Sequence, residues 1–94
     1  MQDQFFEWDD LKATRNWLDH AVTLETAKFA FEDAFGIERA DLREDYGEDR
    51  FNLLGIVDGR LIHVTYTMRG DKIRIISARG AEPYERRLYH EENH

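Results

Sequence analysis

The chain has 94 residues, a formal net charge of −7, and 13 Lys/Arg against 20 Asp/Glu. That length suits one domain, spanning 1–94, and the absence of cysteine excludes a disulfide framework or a thiolate metal site. No apolar run is long enough to span a bilayer and no signal-peptide pattern opens the chain, so the expectation is a cytoplasmic protein without membrane association.

In chain order, QFFEW reads as a short aromatic strand. Asp9 or Asp10 then caps a helix reaching about His20, with Leu11 and Leu18 on one face at i, i+7 and Trp17 beside them. Thr23 is the N-cap of a second helix with an apolar stripe of Ala27, Ala30, Phe31 and Ala34, ended by Gly36. Residues 37–49 read as a short irregular strand or a loop. FNLLGIV, LIHVTYTM and KIRIISA are strand-like, separated by Asp58-Gly59 and Gly70-Asp71, which suit type I′ and type II′ hairpin turns. Glu82 and Pro83 start a last helix, with Tyr84 and Leu88 on one face. The order β-α-α-β-β-β-β-α gives an α+β fold: a small antiparallel sheet with its helices mainly on one face.

Charge is divided along the chain. Residues 1–49 carry five Lys/Arg and fourteen Asp/Glu, whereas residues 50–87 carry eight and four. A phosphate responds to the local potential, so an acidic protein with a basic half can still receive one.

The turns fix the strand register. Phe51, Leu53, Ile62, Val64, Tyr66, Met68, Ile73 and Ile75 fall on one apolar face. The other face is expected to read Arg50–Thr67–Arg74, then Asn52–Thr65–Ile76, then Leu54–His63–Ala78, with Arg69 and Lys72 at the turn end. Two guanidiniums flanking a hydroxyl suit a phosphate, although from spacing alone a solvated sheet face, which often carries Arg and Thr, is the simpler account. Strict alternation points Ser77 and Arg79 the other way, and a bulge or the strand exit would turn them toward the open face. Of the four histidines only His90 and His94 have ligand spacing, at a chain end where fraying is the simpler account.

FEWDDLKATRNWLDH, VTLETAKFAFED, YGEDRFNLLG and VTYTMRGDKIRIISARGAEPYERRLY carry a likeness to a known family. RIISAR, followed by Ala81, Glu85 and Tyr89, is its most specific part. From Phe5 to Tyr89 the chain resembles the BrnT toxins of bacterial type II toxin–antitoxin systems. The resemblance implies a RelE-like fold and RNA cleavage that inhibits translation. It also implies a BrnA-type antitoxin with a ribbon-helix-helix domain, through which the complex reaches operator DNA. The family's motifs carry functional roles onto His20, Arg50, Arg69, Ser77 and Arg79, and Arg74 joins them from the face reading. The sequence departs from the family at Asp19, where a Lys is usual, and at Met68, where a Glu is usual.

The expected chemistry needs no metal or other cofactor. Arg50, Arg74 and Arg79 stabilise the phosphorane, Arg69 holds a flanking phosphate, and His20 or His63 is the base. The alternative is a non-catalytic module that docks a basic antitoxin segment on Asp41, Glu44, Asp45, Glu48 and Asp49. A homodimer through a sheet edge, or a 2:2 complex, is compatible with either.

Overall fold

A computed structural model describes residues 3–43 and 45–93; Glu44 and His94, which entered the sequence reading, lie outside them. The elements are β1 (Phe6–Glu7), α1 (Asp10–His20), α2 (Leu24–Ala27, continuing as a 3₁₀ turn over Lys28–Glu32), β2 (Ile37–Ala40), β3 (Phe51–Val57), β4 (Arg60–Arg69), β5 (Lys72–Gly80) and α3 (Pro83–Glu92). The sheet order is β1-β5-β4-β3-β2. The α+β class and the element order are those expected. Two details differ. β1 runs parallel to β5, so the sheet is mixed, and α3 packs on the face opposite α1 and α2. No helix among the described residues is long and apolar enough to cross a membrane.

Both hairpins follow from their turn residues. Asp58 and Gly59 each take positive φ (50° and 78°), as a type I′ turn requires, and Gly70 does so alone at the next turn. The first face of the sheet is the main core: Leu53, Ile62, Val64, Tyr66, Ile75 and Ala78 pack against Val22, Leu24, Ala27 and Ala30. Gly55 permits that contact, because a Cβ there would lie 2.6 Å from the Ala30 carbonyl oxygen. Met68 shares a row with Ile73 but stays half-exposed at the turn end, outside this core. Leu54 and Leu61, on the second face, pack with Ala81, Leu88 and Tyr89.

The expected α1 face is not the buried one. Leu11 and Leu18 are 83% and 72% exposed, and Trp17 is also exposed, while Asn16 is buried. The cause lies in the sheet. β1 ends at Glu7, opposite Arg74, so the remainder of β5 has no strand neighbour on that side. Asn16 takes the place of one. Its Nδ2 donates to the Ala78 carbonyl (2.9 Å) and its Oδ1 accepts from the Ala78 N–H (2.9 Å). The same Nδ2 ties down the chain after α1 by donating to the Val22 carbonyl (2.7 Å). A carboxamide carries the donor and acceptor of a peptide group, so it closes the edge as a strand would.

The register holds as far as Tyr66↔Ile75 and then slips by one: Thr65 faces Ser77 and His63 faces Arg79. Ile76 is the extra residue of a β-bulge. The expected rows through Ile76 and Ala78 are therefore corrected. Ser77 and Arg79 occupy the second face, and Ala78 enters the core beside Val64. Nor does Arg50 complete its row: β3 begins at Phe51, and the Thr67 hydroxyl donates to the Asp49 carbonyl (2.6 Å).

Deleting Ile76 leaves strict alternation with the same partners. That variant is expected to fold with Ser77 and Arg79 still on the second face, at a loss of about 1–2 kcal/mol. Interstrand NOEs check this; a contact pairing His63 with Ala78 would contradict it.

Candidate functional site

Because of the bulge, Arg74, Ser77 and Arg79 share one face of β5, beside Thr67, Thr65 and His63 of β4. Asn52 of β3 extends the middle row, and its Oδ1 accepts from the Thr65 hydroxyl (2.9 Å). α3 closes the far end of this face. Pro83 and Glu82 start the helix, and its third residue, Glu85, turns back under it. The Glu85 carboxylate accepts from the Glu82 N–H (2.8 Å) and from both terminal nitrogens of Arg79 (2.7 and 3.0 Å). His63 Nε2 stands 3.7 Å from the same carboxylate. His63, Arg79, Glu85 and Asn52 line a cavity of about 250 Å³, with Arg39, Asp41, Arg43, Tyr84 and apolar walls completing it.

The electrostatics follow from burial and pairing. Burial, then the Arg79 charge, pushes the His63 imidazolium below its ordinary pKa despite the nearby carboxylate, so the ring is neutral at pH 7. Burial acts to raise Glu85, but the Arg79 guanidinium, the Glu82 N–H and His63 outweigh it and keep the carboxylate ionised. Arg79 is held protonated by Glu85. At the cavity rim the two-pronged bond from Arg43 holds the Asp41 carboxyl far below the usual range.

These shifts predict a pH dependence of stability. The neutral His63 contribution is full above the unfolded value of 6.5 and is lost as pH falls through the lower folded value. Melting temperature should therefore drop as pH is lowered below 6.5, and His63→Gln should flatten that drop. An unchanged slope in the variant would assign the effect elsewhere.

The structure brings together Arg74, Ser77 and Arg79 but not the other candidates. Arg74 is bonded to Glu7 (2.7 Å) at the sheet edge. Arg50 sits in the 41–50 loop, its guanidinium 4.0 Å over the Tyr46 ring and its Nε 3.2 Å from Glu48. Arg69 is exposed at the β4–β5 turn, remote from His63 along β4. His20 ends α1 and lines a separate groove at the β5 edge with Asn16, Ile76 and Ser77. It does not line the His63 cavity; of the two candidate bases, His63 is the one beside Arg79. Sequence reading gave Glu85 and Asn52 no role in the site. For Glu85 a signal existed: a glutamate three residues past the helix cap turns back toward the first N–H groups, here beside the strand exit.

The face thus offers guanidiniums, hydroxyls and a neutral imidazole side by side, a set suited to binding a phosphodiester and taking a proton from a hydroxyl. A family model described as "Ribonuclease toxin, BrnT, of type II toxin-antitoxin system" matches residues 8–85. No curated protein matches the chain.

Proposed function

The chain belongs to the BrnT family of ribonuclease toxins of type II toxin–antitoxin systems, and from that premise we propose that the second face of its sheet cleaves RNA without a metal. The observation that carries this reading is the bulge at Ile76, which sets Arg79 opposite His63 and in line with Ser77 and Arg74. In the proposed step His63 Nε2 takes the proton of a ribose 2′-hydroxyl. The 2′-oxygen forms a bond to the adjacent phosphorus, and the bond to the 5′-oxygen breaks. That oxygen takes a proton from solvent. The products are a 2′,3′-cyclic phosphate and a 5′-hydroxyl. Glu85 compensates the imidazolium, while Arg79 and Arg74 stabilise the phosphorane through the N–H groups their carboxylate partners leave open. Ser77 adds a hydroxyl donor. Arg50 and Arg69, off the central rows, hold flanking phosphates, and His20 sits at the groove through which the strand would leave the β5 edge.

A type II system supplies a protein antitoxin. A BrnA-type protein is the proposed partner, carrying the complex to operator DNA, and cytoplasmic RNA cleavage that halts translation is the proposed outcome. A homodimer or 2:2 assembly would use the outer edge of β2. Expression in growing cells should arrest growth, co-expressed antitoxin should relieve it, and cleaved RNA should bear 2′,3′-cyclic phosphate ends. Ends of the 3′-hydroxyl type would refute the mechanism.

A second reading has its own observation. Arg43, Arg50, Arg74 and Arg79 are each paired with a carboxylate, as in a face whose charges are structural. A catalytically inactive antitoxin partner and operon co-repressor would then remain, binding its antitoxin in a salt-sensitive manner and leaving RNA intact.

A further inference from the structure

The cavity beside Arg79 is built for more than a phosphate. Its volume of about 250 Å³ is below the roughly 300–1,000 Å³ of pockets that enclose whole drug-sized ligands. One planar heterocycle is the scale of group it admits. Its walls include the aliphatic side chains of Leu54 and Leu88, which a phosphate does not need. At its edge Tyr84 is 55% exposed, an aromatic ring left in water at the mouth of a cleft whose walls are part apolar and part polar. Asn52 also lines it. The amide oxygen of Asn52 is engaged by Thr65, and its N–H₂ group has no partner among the described residues. Apolar walls, an exposed ring and an open amide donor are the parts that recognise an unstacked base.

We infer that this cavity receives the base of the nucleotide whose 2′-hydroxyl attacks, with Tyr84 stacking on it and Asn52 donating to its edge. The inference rests on the cleavage reading above and adds to it a substrate class: unpaired RNA, because a base within a duplex cannot enter the cavity. Tyr84 and Asn52 become specificity-determining residues, with His63 and Arg79 at the ribose and phosphate.

The test is a calorimetric titration of the whole protein with the four nucleoside 3′-monophosphates, with ribose 5-phosphate as the base-free control. At least one nucleotide should bind roughly tenfold or more tightly than the control. Tyr84→Ala should bring that nucleotide down to the control level, and Tyr84→Phe should keep its affinity. Because Tyr84 is exposed, the alanine variant should keep its fold, read by circular dichroism. Equal binding of all five ligands, or full affinity in Tyr84→Ala, would overturn the inference. RNA cleavage is assayed in parallel, so the two readings fail separately. Cleavage without nucleotide binding removes the base pocket and keeps the ribonuclease; nucleotide binding without cleavage keeps the pocket and removes the mechanism.

Discussion

Replacing Arg79 with alanine is expected to lower the melting temperature by about 10–20 °C. Glu85 is only 4% exposed and its carboxylate accepts both terminal nitrogens of Arg79. Removing the guanidinium leaves a buried charge whose remaining neighbours are a neutral imidazole, one backbone N–H and the Tyr84 hydroxyl. Breaking a fully buried pair costs about 3–5 kcal/mol. Arg79 is partly exposed, so about 2–3 kcal/mol is the better figure here, and each kcal/mol moves a domain of this size by about 4–8 °C. The double variant Arg79→Met, Glu85→Gln should regain much of the loss, because a neutral amide keeps the bond to the Glu82 N–H without an unpaired charge. Thermal melts of the single and double variants decide it. Equal melting temperatures for wild type and Arg79→Ala would mean that the pair contributes nothing to the fold.

Asn16→Ala should be destabilising to a similar degree, about 3 kcal/mol. Three hydrogen bonds disappear together, and the Ala78 N–H and carbonyl remain buried without partners. Asn16→Asp keeps the shape but is expected to fall at least as far. A carboxylate cannot donate to the Val22 and Ala78 carbonyls, and it would bury a charge against them. Both changes loosen β5 at the residue between Ser77 and Arg79, so hydrogen exchange at the Ala78 amide should rise by about two orders of magnitude. Wild-type protection of that amide in Asn16→Ala would show that the edge is closed by something else.

These two residues mark where the sequence was legible and where it was not. The hairpins were readable because Asp58-Gly59 and Gly70-Asp71 have few other uses between strand-like runs; the β3–β4 register they imply is found throughout, and the β4–β5 register as far as Tyr66↔Ile75. Helix starts at Leu24 and Pro83 follow from Thr23 and Glu82 as caps, and of the two aspartates the sequence offers for the first helix, Asp9 is the cap. The bulge was legible only as an option. Ile75 and Ile76 are both apolar, and nothing local says which one leaves the alternation. The deciding factor is tertiary: Ala78 fits the core opposite Val64, where Arg79 would not. The buried face of α1 was misread for a related reason. Apolar spacing pointed to Leu11 and Leu18, but the surface to be covered is a strand edge with open backbone groups, which calls for Asn16. Tyr84 and Leu88 share one face of α3 by spacing, yet Glu85 and Tyr89 are the buried pair, since Arg79 gives a glutamate a reason to be inside. Arg74, Ser77 and Arg79 are candidates in the sequence, but their common face, like their separation from His20 and Arg69, depends on packing no local pattern encodes.

The most direct measurement is single-turnover cleavage of unstructured RNA by the purified protein in excess EDTA, with Arg74→Ala, Arg79→Lys and His63→Gln alongside. The wild type should cleave, and each variant, shown to be folded by circular dichroism, should be slower by roughly 10²-fold or more. Arg79→Lys is included because it keeps the charge and loses the planar fork. Absence of cleavage by the wild type, or wild-type rates in all three folded variants, would contradict the assignment of this sheet face as the site of RNA cleavage.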